Sequence, residues 1–440
     1  MIATFRALGV RNYRLWFAGA LVSNTGLWMQ RIAQDWLVLT ELTDDDATAV
    51  GITAALNFGP QLVLAPFAGV VADRVNRRTM LIITQTVMAL LGIALGVLTV
   101  TGLVELWMAF GFALALGIAS AFDAPARQAF VGELVPADKL GNAVALNATA
   151  FNAARLVGPA LAGLLVAAIG TGWVFFINAA TYLAVFAALA LLRRSEFTSV
   201  TRSPRSASGL VEGFRYVRRR SDLQLVLGMV FILGMFGLNF ALFTATMVRI
   251  EFDSGPEALG IVSSITAVGS IAGSLLTARS SRPRLRTITL AAAGFGAGLL
   301  ACAAAPDLAL FALAATATGF ASLSVLTTAN AYVQTGTSPA FRGRVMALYL
   351  AVLFGGTPFG APLLGWIADA AGPRWAVATG AAGCLLAAGI AAIYFIRTRE
   401  VSVHFVRRRW PLRLQYGTSA ADRELATTEL AIVEAEARKT

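Results

Sequence analysis

Twelve apolar blocks run along this sequence, each long enough for a helix to cross the ~30 Å hydrocarbon core of a bilayer. They cover residues 13–39, 49–72, 79–101, 106–125, 142–168, 173–192, 223–250, 258–278, 287–305, 308–334, 345–369 and 375–396. None shows the ten-residue alternation that marks the strands of a membrane barrel. Charged residues make up only 13% of the chain, against roughly 25% in soluble domains, so there is too little polar surface to cover this much apolar side chain in water. The sequence predicts an all-α polytopic membrane protein with twelve transmembrane helices.

The net charge of +11 is distributed as a membrane protein would distribute it, not as a nucleic-acid binder would. With Arg14, at the very start of block one, counted with the N-terminus, alternate loops and both ends hold all of the Lys and Arg except Arg31 and Arg155, inside blocks, and Arg249 and Arg374, at the opposite side. The opposite loops carry Glu41, Asp44, Asp45, Asp46, Glu105, Glu251, Asp253, Glu257, Asp307 and Asp369. Because Lys and Arg stay on the cytoplasmic side, this bias predicts a multi-pass protein of the cytoplasmic (inner) cell membrane with both termini inside. An even number of spans requires the same. The short basic N-terminus runs into a block too long for a cleavable signal peptide, and none is expected.

Cys302 and Cys384 both lie in apolar blocks, and the single histidine, His404, is in the tail. No metal-ligand spacing results, and no phosphate-binding G-x-x-x-x-G-K-[ST] loop occurs. The expectation is a protein with no metal, no cofactor and no catalytic centre.

The chain also contains a repeat. Shifted by 202 residues, AFVGELVPADKLGNAVAL (129–146) falls on AYVQTGTSPAFRGRVMAL (331–348), and Gly158, Gly163, Gly170 and Trp173 fall on Gly360, Gly365, Gly372 and Trp375. A shift of six spans preserves orientation, so the halves are parallel repeats about an axis normal to the membrane, with a site expected between them. The predicted organisation is a bundle over 1–192, a basic linker over 193–222, a second bundle over 223–398 and a cytoplasmic tail over 399–440. The eight arginines of the linker suit an anionic inner leaflet. The tail alternates briefly and then predicts an amphiphilic helix over 419–438.

Between the second and third blocks, GVVADRVNRR places Gly69, Asp73, Arg74, Arg77 and Arg78 in a pattern that resembles the cytoplasmic-loop signature of the major facilitator superfamily. Asn76 stands where that family usually has glycine. SNTGLWMQRIAQDWLVL, FDAPARQAFVGELVP, NAARLVGPALAG and RGRVMALYL are similar to its enterobactin-exporter and transmembrane-secretion-effector branch. The resemblance covers roughly 1–400. It implies two pseudo-symmetric six-helix bundles and proton-coupled efflux, by alternating access, of a small amphipathic molecule such as a drug, siderophore or secondary metabolite, by a monomer. An importer or uniporter on the same fold, or a non-transporting sensor, are the alternatives. It also implies a conformational latch. Asp73, at the end of span two, would meet the positive N-terminus of span eleven near Val345, and Asp123 would pair with Arg77 or Arg78. The second half has Thr277 in place of the acid, so the latch is expected on one side only.

Span one carries the other constellation. Ser23, Asn24, Gln30, Arg31, Gln34 and Asp35 project within about 140° of arc at helical spacing, and this face must look into protein or water. Arg31 and Asp35 are i,i+4 neighbours that can pair. Asp35 is the candidate proton-exchanging carboxylate, biased by Arg31; the alternative is a buried pair that only pins the span. Arg155, in mid-span, needs a carboxylate, backbone carbonyls or an anionic cargo; Asp35 and cargo are the candidates. The cavity candidates are Asn24, Trp28, Gln34, Asn152, Arg155, Asn239 and Asn330. Gly158, Pro159 and Gly163 share a face that lets another helix approach. Pro358 and Pro362 are expected to bend span eleven as a gating element.

Overall fold

The apolar blocks are helices, most of them longer than the blocks themselves. The computed structural model describes residues 3–197, 208–278, 283–338, 341–399, 402–405 and 412–415. The first half forms α1 (Arg11–Thr40), α2 (Ala47–Arg74), α3 (Arg77–Val100), α4 (Leu106–Leu134), α5 (Ala137–Ile169) and α6 (Thr171–Leu191). A linker helix, α7 (Ser208–Arg218), leads into α8 (Ser221–Ile232), α9 (Phe240–Thr246), α10 (Pro256–Ala278), α11 (Leu285–Ala304), α12 (Leu308–Gly336), α13 (Arg342–Gly355), α14 (Thr357–Ala371) and α15 (Pro373–Arg399). In the tail, Ser402–Phe405 pairs antiparallel with Leu412–Gln415. The helix predicted over 419–438 lies outside the described residues.

Two spans are interrupted. Span seven is α8 and α9 joined through a π-turn at Leu233–Gly237, with a second at Met247–Glu251. Span eleven is α13 and α14, broken at Gly356 with Pro358 in the first turn after the break. Counted as continuous stretches, eleven helical segments among the described residues are long and apolar enough to cross a membrane. The twelfth is α1, whose 30 residues have the length but whose polar arc lowers the hydropathy. The fourth block was predicted to stop at 125, yet α4 continues to Leu134 with Pro125 inside it.

Local chemistry sets the corners. Asp46 caps α2 by accepting from the Ala49 amide at 2.9 Å, and Asp307 caps α12 through Leu310 at 2.8 Å. Asn76, the departure from the family signature, caps α3 by accepting from the Thr79 amide at 3.3 Å. Gly170 and Gly372, paired by the repeat, turn α5 into α6 and α14 into α15 with φ of +85° and +102°, a region that only glycine enters without a steric penalty.

Helices α1–α6 form one bundle and α8–α15 the other, with α1 packed between α5 and α6. The repeat is visible in the packing. Gly158 lies against Trp28 of span one, and its partner Gly360 against Met235 of span seven. Gly163 lies against Gly260, and its partner Gly365 against Ala47. The latter contacts join the bundles along two seams, α5 with α10 and α2 with α14.

The seams are closed at one end only. At the acidic end, which carries Asp44–Asp46, Glu257 and Asp369, Asp369 at the foot of α14 accepts from the Ala47 and Thr48 amides of α2, both at 2.8 Å. Arg249 pairs with Asp45 across the bundles at 2.9 Å. The basic end carries the 74–78 turn and the linker. There Gly69, about five turns along α2 from Gly51 on the same face, has nothing among the described residues within 4 Å of an added Cβ, and neither has Gly141 or Gly343. The bundles therefore touch near the acidic end and part toward the basic one. At the basic end α7 packs on α13, with Glu212–Arg344 at 2.5 Å and Tyr216 stacked on Phe341.

The glycine contacts make the seal testable. A cysteine at Ser263, in the cavity between the bundles, should be protected from a membrane-impermeant thiol reagent added at the acidic end. Gly163→Leu, which forces a side chain into Gly260, should expose it; equal protection in both backgrounds would mean that the seam is not what closes this end.

Candidate functional site

Between the bundles lies a cavity of about 170 Å³. Span one contributes Trp28, Arg31 and Asp35, which share one helical face, and α5 contributes Arg155 and Pro159. The other wall comes from Asn239 and its neighbours in span seven, from α10, and from Phe354 at the end of α13; α2 adds Asn57 and Phe58. Gly158 is what allows this convergence, since a Cβ there would meet Cβ of Trp28 at 2.6 Å.

Arg31 does not form the expected ion pair with Asp35. Its guanidinium lies 4.6 Å from the Phe58 ring centroid and 5.1 Å from that of Trp28. Two aromatic faces, one of them from another helix, draw it away from the carboxylate one turn on; such contacts contribute ~0.5–2 kcal/mol each, more when desolvated. Its Nε has no hydrogen-bond partner. Arg155 stands 5.7 Å from the same Trp28 ring, and no ion pair joins it to Asp35 among the described residues. Phe58 stacks on Phe354 across the bundles at 6.4 Å with an interplanar angle of 2°.

Several predicted cavity residues lie elsewhere. The Gln34 amide donates to the Ala109 carbonyl of α4 at 2.8 Å, tying span one into its own bundle. Asn24 is buried but off the cavity wall, and half-buried Asn330 is also off it. Asn152, one turn toward the basic end from Arg155, is exposed and donates to the Ala148 carbonyl of its own helix. Asn239 lines the cavity while donating to the Met235 carbonyl at 2.8 Å. The polar arc of α1 is buried as a whole, but only Arg31 and Asp35 of it face the cavity. Gln30 instead accepts from Asn178 of α6, and Ser23 from Arg127 of α4.

The basic loop is also rearranged relative to expectation. Asp123 pairs with neither Arg77 nor Arg78. It accepts from Thr84 and Gln85 at 2.7 Å each and bonds Arg127, one turn on in α4. Arg77 pairs instead with Glu133 at 2.9 Å, and Arg78 donates to the Leu189 carbonyl at 2.9 Å. The antiparallel register of α3 and α4 explains both: residues at the start of α3 stand level with the end of α4, and Asp123 is two turns deeper. Arg127, assigned to a loop because its block ended at Pro125, was missed as a buried residue; its i,i+4 spacing from Asp123 was the available signal. Phe58, Phe354 and Asp369 were missed too, and nothing local in the sequence marks them. The side chain of Asp73 lies outside the described residues. Arg74 is exposed, and Thr277 donates back to the Gly273 carbonyl of its own helix.

Against known proteins, the chain matches the family described as transmembrane secretion effector over residues 2–418. It is 27% identical to the multidrug efflux pump Tap of Mycolicibacterium fortuitum, across 87% of this chain and 95% of that one. It is 26% identical to the staphyloferrin A transporter of Staphylococcus aureus, across 82% and 90%. Its fold matches the crystal structure of a D-xylose–proton symporter with a TM-score of 0.68 at 14% identity, covering 86% of this chain and 96% of that one.

The Asp123 cluster yields a stability prediction. Asp123→Ala strands Arg127, a buried cation, and should cost about 3–5 kcal/mol, the usual price of breaking a buried pair. Thermal unfolding in detergent should show the loss, and Asp123→Leu combined with Arg127→Met should recover most of it. A single variant as stable as the parent would remove the cluster from the account of how α3, α4 and α1 are held together.

Proposed function

The chain belongs to the transmembrane secretion effector family of the major facilitator superfamily, and from that premise we propose that it is a secondary active exporter, driven by inward proton movement, for a small amphipathic molecule. The observation that carries this reading is the cavity itself. It lies between two six-helix bundles, is sealed at the acidic end and opens toward the basic one, and has on its wall, among the described residues, a single carboxylate, Asp35. With the Lys/Arg bias fixing orientation, the basic end is cytoplasmic, in the inner membrane. The structure is then the inward-facing state, ready to take cargo from the cytoplasm. The name of one relative, a multidrug efflux pump, supports export, and that of the other, the staphyloferrin A transporter, supports a small-molecule cargo.

Asp35 makes no hydrogen bond or ion pair among the described residues, which leaves it available to a proton or to a donor group of the cargo. Ionised, it is an acceptor with a negative charge; protonated, it gains an O–H and loses that charge, so its protonation changes the affinity for cargo. Such a coupling between two ligands is reciprocal by linkage. Closing the cytoplasmic end brings the 69–78 turn to the start of α13, where Asp73 engages the helix N-terminus and Arg74, Arg77 and Arg78 flank it. That contact, worth ~0.3–1 kcal/mol, is weak enough to break each cycle. The break at Gly356 with Pro358 and Pro362 serves as the flexing point of span eleven. The working units are the bundles 1–192 and 223–398, the linker 193–222 and the tail 399–440, in a chain that acts as a monomer.

A resistance screen across chemically diverse compounds in a pump-deficient host identifies a cargo. Its accumulation should rise when a protonophore collapses the gradient, and Asp35→Asn should abolish gradient-driven export while the protein is still made and inserted. Full export by that variant would leave Asp35 only a structural part; export indifferent to the protonophore would contradict proton coupling.

A further inference from the structure

We propose that the cavity is a site for an amphipathic anion, with the acid group held by Arg31 and Arg155 and the apolar body laid against Trp28, Phe58 and Phe354. This deepens the export reading by naming the class of cargo, and it rests on that reading only for the word cargo.

The first reason is a contrast in how the chain treats its buried arginines. Away from the cavity, Arg127 is bonded to Asp123 and Arg77 to Glu133. In the cavity Arg31 breaks the rule: it is 6% exposed, and neither it nor half-buried Arg155 has a carboxylate within ion-pair distance among the described residues. A guanidinium taken out of water without an anion is costly, and the cost is recovered only when an anion arrives. The aromatic faces of Trp28 and Phe58 steady Arg31 but cannot satisfy its N–H groups, which point to an acceptor.

Convergence is the second reason. The two guanidinium carbons lie 5.1 and 5.7 Å from one indole centroid. Both therefore border the Trp28 ring, from two different helices. Guanidinium groups pair with carboxylates through parallel N–H···O bonds, and two of them bordering one region define a place for a single acid group. Charge balance is the third reason. Arg31, Arg155 and Asp35 are the ionisable residues on the wall among the described residues, so with Asp35 ionised they carry one excess positive charge, and a monoanion brings it to neutrality. A cation would face two arginines against one carboxylate. A neutral molecule would leave the excess uncompensated. The remaining wall is chiefly apolar or aromatic, which requires that the anion carry a substantial apolar body.

The test is equilibrium binding to the purified full-length protein in lipid nanodiscs, without any gradient, using three fluorescent probes that share one apolar body: dansylglycine (anionic), dansylamide (neutral) and dansylcadaverine (cationic). Dansylglycine should bind at least about tenfold more tightly than either of the others, a difference expected of one charge-assisted contact made in a cavity. Arg155→Gln should bring dansylglycine down to the level of dansylamide without altering dansylamide binding, the latter showing that the cavity is intact. Arg155→Lys, which keeps the charge and loses the fork, should restore part of the preference. The proposal is overturned if dansylglycine does not bind, if the neutral or cationic probe binds as well, or if Arg155→Gln leaves dansylglycine affinity unchanged. Because nothing in the measurement depends on protons or direction, its failure leaves the export reading standing, and indifference to the protonophore leaves this proposal standing.

Discussion

Polar side chains on α1 cannot be set against hydrocarbon, where each central charge costs ~2.5–3.5 kcal/mol even on insertion scales. Much of the architecture follows from that prohibition. A helix with Ser23, Gln30, Arg31, Gln34 and Asp35 on one broad face has to be enclosed by other helices, and α1 is wrapped by α5 and α6, with further contacts to α2 and α4. The polar groups that meet helices of the same bundle are absorbed by it: Ser23 by Arg127, Gln30 by Asn178, Gln34 by the Ala109 carbonyl. Those that no helix of the bundle absorbs, Arg31 and Asp35, define the wall of the central cavity. The site is in this sense the residue of polarity that the first bundle leaves unsatisfied.

The second constraint is how two bundles can touch firmly and still separate. Helices joined by interdigitating large side chains part slowly, whereas small residues permit close backbone contact with little to disentangle. The chain uses the small-residue solution twice, once per repeat, with Gly163 on Gly260 and Gly365 on Ala47. Around these contacts it adds polar pairings that solvent can readily replace: Asp369 on the N-terminus of α2 and Arg249 with Asp45. The arrangement at the acidic end, an acid at the end of span eleven meeting the start of span two, is the counterpart of the one inferred for the basic end, where the acid ends span two and the helix start belongs to span eleven.

How much of this could be read from the sequence depends on how local the governing physics is. The twelve spans were legible because bilayer thickness dictates helix length, and α1 among them because its polar arc still leaves an apolar block of spanning length. The repeat was legible through its glycines: Gly170 and Gly372 mark the same positive-φ corner, and Gly158 and Gly360 the same close approach. Partner choice was not. Asp123 could be assigned to Arg77 only by ignoring the register of α3 on α4, which no local pattern gives, and Arg127 was taken for a loop residue because Pro125 reads as a stop while the helix runs through it. Arg31 was matched with Asp35 by spacing alone. The rival aromatic surface comes from Phe58 on another helix, and the sequence offers no sign of it. Asp369 read as one more loop acid, though it caps a helix that begins 322 residues earlier in the chain.

The central claim is that the two bundles rock about the cavity so that one end opens as the other closes. Pulsed electron–electron resonance on the protein in nanodiscs tests it directly, with one spin-label pair at Gly69 and Gly343 on the basic end and another at Asp44 and Ala370 on the acidic end; the native cysteines, Cys302 and Cys384, are buried. Across a pH titration the account predicts that the first distance shortens as the second lengthens, in the same fraction of molecules. Two distances that change in the same sense, or that do not change under any condition supporting transport, would contradict it.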